Sequence, residues 1–145
     1  MANLFDRDDI ALGIALPFGS GQSNFKLNYT TLDQARTNII NLLLTHKGER
    51  FMQPEFGTDL RRFLFRQNTQ NLADDVRDNL LEAIKFWLPY VKVDSIDIDR
   101  TAQNIEQYTI HVAITFSVTN DITKFATITF NFSSSGGVSV GSGNV

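Results

Sequence analysis

The stretch that decides the fold is residues 108–118, YTIHVAITFSV. Every even-numbered position in it is apolar, whereas the odd-numbered positions carry Thr, His, Ala, Thr and Ser. Successive side chains of a β-strand point to opposite faces of the sheet. The alternation therefore predicts a half-buried strand with one apolar face and one small or polar face.

Two further strands are predicted on either side of this stretch. Val91, Val93, Ile96 and Ile98 indicate a preceding strand, with a bulge or turn at Asp94-Ser95. Residues 124–132 indicate a following strand whose apolar positions are Ala126, Ile128, Phe130 and Phe132. Short polar connections favour antiparallel neighbours. We therefore expect a three-stranded antiparallel meander.

Helices are predicted before the strands. The first opens at Thr31, with Gln34 three positions on as in a capping box, and ends through His46, Lys47 and Gly48. A short helix from Asp59 to Phe65 follows, and a long amphipathic helix then runs from Thr69 to Leu88, where Pro89 ends it. The predicted fold class is α+β, with helices packed on one face of the small sheet.

Composition limits the possible functions. The chain has 145 residues, a net charge of −3, no Cys and two His, which fits one domain and argues against disulfides, Cys-based zinc sites and general nucleic-acid binding. No apolar run approaches the roughly 20 residues that span a membrane. We expect a soluble intracellular protein with an extended arm (1–30), a globular domain (31–132) and a flexible Gly/Ser tail (133–145), and with no cofactor or metal.

The last predicted strand forms an open sheet edge. Residues 124–132 carry little charge and no Pro, whereas edges are normally blunted against unwanted pairing. A sheet edge that is not blunted can accept a strand from a partner through backbone hydrogen bonds. Here that strand would pair along Lys124, Ala126, Ile128 and Phe130. Val138-Ser139-Val140 is a strand-competent island that would donate a strand, flank one or remain solvated.

Residues 48–57 admit two interpretations. As a rigid recognition loop, Phe51, Met52 and Phe56 are apolar anchors, Pro54 stiffens the chain and Arg50 binds a carboxylate. As a glycosidase site, Glu49 and Glu55 are the paired carboxylates. The recognition loop is favoured, because the two carboxylates lie on a short excursion without a long substrate-binding segment around them.

Other polar residues have structural explanations. Asp97 and Asp99 share one strand face opposite Ile96 and Ile98, which indicates a solvated face rather than a cation site. His111 is expected on the outer face of its strand. His46 lies where a helix dipole favours a cation.

The run 41–60, NLLLTHKGERFMQPEFGTDL, followed by Leu64-Phe65, resembles the signature of the baseplate wedge proteins of contractile-tailed phages. Related subunits occur in type VI secretion baseplates. The resemblance covers about residues 30–132. It implies a non-enzymatic sheath initiator in the tail baseplate of a virion assembled in the host cytoplasm.

The resemblance also implies partners. These are the tail sheath protein and other baseplate wedge proteins, with the tail tube as a further candidate, and the copies form a ring of six. Neither nucleic acid nor a membrane is an expected partner. Strands of the first sheath ring would add to the sheet. Some relatives carry a lysozyme label, so a peptidoglycan-cleaving enzyme using Glu49 and Glu55 is the main alternative. A free adaptor that binds a cytosolic peptide is a weaker one.

One departure from the family pattern follows the long helix. Where the family commonly has Glu-Pro-Arg, which grips the helical core bundle of the wedge, this chain has Leu88-Pro89-Tyr90. An apolar contact by Leu88 and Tyr90 would replace the salt-bridged one. Alternatively, Leu88 is simply the last core residue of its helix.

Overall fold

The computed structural model describes residues 10–16, 25–64, 70–99, 109–119, 121–133 and 138–144. Two long helices and a one-turn helix accompany two antiparallel sheets, one of four strands in the order β3-β4-β5-β6 and one of two strands, β1-β2. The α+β prediction is confirmed. In chain order the elements are β1 (Gly13–Ile14), β2 (Leu27–Asn28), α1 (Thr31–Leu44), α2 (Leu60–Leu64), α3 (Gln70–Trp87), β3 (Val91–Asp99), β4 (Thr109–Val118), β5 (Asp121–Ser133) and β6 (Val138–Asn144).

The predicted three-stranded sheet is wrong, because β6 adds a fourth strand. It pairs antiparallel with β5, with Val140 opposite Phe130 and Gly141 opposite Thr129. At residues 138–144 the structure thus has a paired strand where a flexible Gly/Ser tail is predicted. A ladder forms between backbone groups, which Gly and Ser supply as well as apolar residues do. Val140 also packs against the core.

The predicted bulge in β3 is confirmed. Its register with β4 shifts between Val93 and Ser95. A one-residue slip moves a strand's side chains to the other face. Here the shift compensates for a change of parity in the sequence, so that Val91 and Ile96 are both buried.

The core lies between the two long helices and the apolar face of the large sheet. The even-numbered β4 residues from Val112 onward are buried and the odd-numbered residues 111–115 are half-buried, which confirms the predicted alternation over that part of the strand; Ser117 is buried as well. The buried cluster comprises, from the helices, Ala35, Ile39, Ile40, Leu42, Leu43, Leu60, Val76, Leu80, Ala83 and Ile84, from the strands, Val91, Ile96, Val112, Ile114, Phe116, Val118, Ala126, Ile128 and Phe130, and, between these elements, Phe56 and Leu88.

α1 begins at Thr31, as predicted, but its N-cap and its C-terminal end differ from the predictions. The N-cap is Thr30 rather than Thr31: its Oγ1 accepts the Asp33 N–H at 3.1 Å and donates to the Asp33 carboxylate at 2.7 Å. The helix ends at Leu44, before His46 and Lys47, and Thr45 is the C-cap. Gly48, predicted to terminate the helix, lies beyond it at a φ of 93°. The adjacent threonines explain the one-residue error in the N-cap.

Candidate partner-binding surface

The segment after α1 folds into a closed loop, here called the 48–57 loop. The Gly48 N–H donates to the Pro54 carbonyl at 2.8 Å and closes it. Inside, the Gln53 N–H donates to the Arg50 carbonyl at 3.2 Å, and the Phe56 N–H donates to the Gln53 carbonyl at 3.0 Å. These bonds satisfy backbone groups locally and give the loop a defined shape, as expected of a rigid recognition element.

The base of the loop is fixed to the end of α1. The Thr58 N–H donates to the Thr45 carbonyl at 2.9 Å, and Thr58 Oγ1 donates to the Leu43 carbonyl at 3.1 Å. His46 pairs with Thr58 in a parallel bridge, and its Nδ1 lies 3.7 Å from Asp59 Oδ1. His46 therefore does not lie in the last turn of α1, as predicted. It lies just beyond the helix, beside the Asp59 carboxylate.

An aromatic chain joins the loop to α3. The Arg50 guanidinium carbon lies 3.8 Å from the centroid of the Phe56 ring. Phe56 meets Trp87 edge to face, with centroids 5.1 Å apart, and Trp87 meets Phe86 in the same way at 5.0 Å. Phe56, predicted as an apolar anchor, is buried in the free chain, and Arg50 stacks on it. Sequence reasoning also missed Phe86, which is 73% exposed.

The tip of the loop carries two exposed apolar side chains. Phe51 is 97% exposed and Met52 is 86% exposed. Large apolar groups held out on a rigid loop are typical of interaction sites, since their exposure destabilises the free protein and their burial favours a complex. These two residues lie in solvent, where the sequence predicts anchors.

The two glutamates of the glycosidase hypothesis lie on the same short loop. Glu49 Oε2 accepts the His46 N–H at 2.8 Å, which holds the carboxylate on the loop backbone. Glu49 and Glu55 are both exposed. A glycosidase places its two carboxyl groups on either side of a bound sugar, whereas these two belong to one ten-residue loop, residues 48–57.

The residues after α3 have unequal access to a partner. Leu88 is buried in the core, as the last residue of its helical stripe. The Tyr90 hydroxyl accepts a hydrogen bond from Asn38 Nδ2 at 2.7 Å, which ties the end of α3 to α1. Pro89 is exposed. Of these three residues, Pro89 and part of Tyr90 remain available for contact.

The predicted open edge at residues 124–132 is wrong. β5 lies between β4 and β6 and is hydrogen-bonded to both. Ala126, Ile128 and Phe130 are fully buried on the core face, and Lys124 is exposed. In the described part of the chain the outermost strands are β3 and β6. The Val138–Val140 island was the sequence signal for β6.

The two margins of the sheet differ in chemistry. β3 has exposed Asp94, Asp97 and Asp99, and Arg77 Nη2 donates to its Ile96 carbonyl at 3.1 Å. Charges and a side-chain donor blunt this margin. β6 carries no charged residue and no Pro. The structure also confirms that Asp97 and Asp99 are exposed.

Two further findings concern chemistry and membranes. His111 is half-buried and hydrogen-bonds Asn131, its cross-strand neighbour. Among the residues that the structure describes, no group of three or more His, Asp or Glu is placed to hold a metal ion. Nor is any helix in those ranges long and apolar enough to cross a membrane.

The chain belongs to the family described as baseplate wedge protein gp25, whose pattern matches residues 31–121. Over 91 residues it is 34% identical to the baseplate wedge protein gp25 of Enterobacteria phage T4. That similarity covers 60% of this chain and 64% of the phage protein, so it spans less than two thirds of the relative. The resemblance inferred from residues 41–60 is thereby confirmed.

Solved structures share the fold. A Geobacter sulfurreducens protein, provisionally described as a tail lysozyme, superposes with a TM-score of 0.65 at 19% identity, over 74% of this chain and 95% of its own. A chain of the six-fold symmetrised anti-feeding prophage baseplate gives 0.61 at 20% identity, over 73% and 83%. A chain of the post-contraction pyocin R2 baseplate gives 0.56 at 16% identity, over 69% and 96%.

Proposed function

We propose that the chain is a structural subunit of a contractile-tail baseplate, in which it links the wedge to the tail sheath and starts sheath assembly by β-strand complementation. Membership of the baseplate wedge family supports the first part. The uncharged outer strand β6 supports the proposal of β-strand complementation, because such a sheet margin accepts a strand through backbone hydrogen bonds. The particle is a virion or a related tail, with a ring of six copies, as in the six-fold baseplate that contains a similar chain.

The sheath contact falls at the β5–β6 margin rather than at β3. The acidic side chains of β3 and the Arg77 bond to Ile96 oppose pairing there. β6 offers a row of backbone groups without charge, and Gly141 leaves its surface flat. A sheath strand pairs with β6 from outside or replaces it on β5, whose Ala126, Ile128 and Phe130 stay in the core.

The wedge contact is made by a second surface, which consists of the 48–57 loop and the end of α3 and which exposes apolar side chains. Phe51 and Met52 at the tip, with Phe86 and Pro89, are the side chains that enter a partner. Glu49, Arg50, Pro54 and Phe56 shape the loop, and Glu55 lies on its rim. Leu88 and Tyr90 support the helix end from within.

Single-cysteine cross-linking tests the sheath contact, because the chain has no native Cys. Ser139→Cys places a thiol on β6, at the position paired with Asn131. Asp97→Cys places one on β3 as the matched control. With a short bifunctional maleimide and cysteine-scanned sheath protein in assembled tails, the β6 thiol is expected to cross-link to sheath. Cross-linking from Asp97→Cys alone, or from neither site, overturns the strand-complementation proposal.

The lysozyme alternative is tested separately. The likeness to the Geobacter protein, at 19% identity, concerns the fold, and the bond from His46 to Glu49 supports a structural role for that carboxylate. In a turbidity assay on bacterial cell walls, wild type and Glu49→Gln are both expected to be inactive. Lysis by wild type that Glu49→Gln abolishes would overturn the non-enzymatic assignment.

A further inference from the structure

The outermost strand, β6, has polar residues at positions where the core face of the sheet continues. Directly paired residues of two antiparallel strands lie on the same face. Ser142 is paired with Ile128, and Asn144 is paired with Ala126. Both of these β5 residues are fully buried on the core face. The sequence of β6 therefore has a serine and an asparagine at two positions that favour apolar residues.

Val140 illustrates what an apolar residue contributes at such a position. It is paired with Phe130, which is fully buried, and its own side chain packs against the core. Two other β6 residues, Gly141 and Gly143, have no side chain to pack, and glycine inside a strand weakens that strand. The attachment of β6 to β5 thus depends largely on the backbone ladder.

We infer that β6 is a placeholder, which a sheath strand with apolar residues at alternate positions replaces on β5. The inference rests on the proposed strand complementation, and it assigns the site and the chemistry of the incoming strand. Apolar residues opposite Ala126, Ile128 and Phe130 would extend the core face at all three positions, whereas β6 has an apolar residue at one of them. Because both strands make a backbone ladder with β5, the additional apolar burial favours the replacement.

Addition of the sheath strand outside β6 is the competing arrangement. The incoming strand would then pair with β6, where Ser142 and Asn144 occupy core-face positions. It would gain a ladder with less apolar burial. Neighbouring strands are spaced by 4.7–4.9 Å, so a strand outside β6 would lie about 10 Å from β5. That distance is too long for a direct disulfide, which allows the two arrangements to be distinguished.

A disulfide between β5 and β6 tests whether β6 must leave. A Cβ on Gly141 would lie 3.9 Å from the Thr129 Cβ, and natural disulfides have Cβ atoms about 3.5–4.5 Å apart. The chain has no native Cys, so oxidised Thr129→Cys/Gly141→Cys carries this bond alone. The oxidised protein is expected to start at least tenfold fewer sheaths on baseplates than the same protein after reduction. Equal sheath assembly by the two forms overturns the inference.

A second disulfide controls for oxidation itself. Asp97 and Ala113 are directly paired across β3 and β4, so Asp97→Cys/Ala113→Cys joins strands at the other margin of the sheet. This variant is expected to support sheath assembly equally well in both redox states. If both disulfides block assembly, the loss is not specific to β6, and that result also overturns the inference.

Direct disulfide trapping in assembled tails identifies the strand beside β5. Only residues 134–137 connect β5 to β6, so Ser139 stays near the sheath strand in either arrangement, and a longer maleimide linker does not separate the two. Thr129 is exposed. Thr129→Cys is expected to form a disulfide with cysteine-scanned sheath protein, at a position that lies between two apolar residues of the sheath strand.

The remaining outcomes separate this inference from the proposed function. Trapping of sheath by Ser139→Cys but not by Thr129→Cys would place the incoming strand outside β6. It would overturn the placeholder role and leave strand complementation intact. Trapping by Thr129→Cys of a segment without alternating apolar residues would overturn the inferred chemistry of the strand. Trapping at neither position overturns both the inference and strand complementation at this margin.

Discussion

The Arg50 guanidinium lies over the face of the Phe56 ring, 3.8 Å from its centroid. The Phe56 ring also packs edge to face against Trp87 of α3. A loop that would otherwise be held by backbone turns is thus joined to the end of α3. The exposed Phe51 follows Arg50 directly and takes its position from this contact.

A double-mutant cycle should detect the coupling between Arg50 and Phe56. A cation over an aromatic face contributes about 0.5–1 kcal/mol at exposed sites, so Arg50→Ala should lower the free energy of unfolding by about that amount. Phe56→Ala should lower it by about 3 kcal/mol, because it also opens a cavity beside Trp87. Urea denaturation measures both. In the Phe56→Ala background Arg50→Ala should have little further effect, and full additivity would contradict the contact.

Gly57 and Gly48 offer a matched pair for testing the loop. Both have positive φ, 117° and 93°. A Cβ on Gly57 would clash with the Thr45 carbonyl oxygen, whereas one on Gly48 meets nothing within 4 Å. Gly57→Ala should therefore destabilise by about 2–4 kcal/mol, through strain plus collision, and Gly48→Ala by about 1 kcal/mol, through strain alone. Equal losses in thermal or urea unfolding would contradict this geometry.

Local periodicity predicted the parts of the fold that depend on side chains. The alternation of β4 and the parity change of β3 required apolar residues on one face, so both strands were predictable. β6 was not, because its ladder depends on backbone groups that Ser and Gly supply without a pattern. Recognising β5 as an interior strand required knowledge of β6.

The site was predictable in part for the same physical reason. Phe51 and Met52 lie on a turn with no helical or strand period, which indicated exposure. The burial of Phe56 depends on Trp87, which is distant in the sequence, and local pattern carries no information on that contact. The hairpin was missed because its strands are only two residues each.

Asn28 should govern whether the hairpin formed by β1 and β2 stays on α1. Asn28→Ala removes the donor to Thr37 and Gln34 and leaves Thr37 Oγ1 with only the longer bond from the Leu16 N–H, so we expect a loss of about 1–3 kcal/mol. We expect faster hydrogen exchange at the Leu12 and Ala15 amides, which donate to the Asn28 and Lys26 carbonyls, with little change in β4. Lys26→Ala, at an exposed hairpin position, is the control. Unchanged exchange in Asn28→Ala would show that other contacts hold the hairpin.

Removing β6 should leave a folded protein with a reactive sheet edge. Truncation after Gly137 deletes the strand but little of the core, since Val140 is only partly buried, so we expect helix content to persist and the thermal midpoint to fall modestly. The bared β5 edge should then pair between molecules. Light scattering should detect concentration-dependent association that wild type lacks.

Thr129→Lys, at an exposed β5 position, should reduce that association in the truncated chain, because a lysine disfavours edge pairing. A truncated chain that stays monomeric at the same concentrations would show that the β5 edge does not pair on its own and would weaken the case for strand addition at this margin.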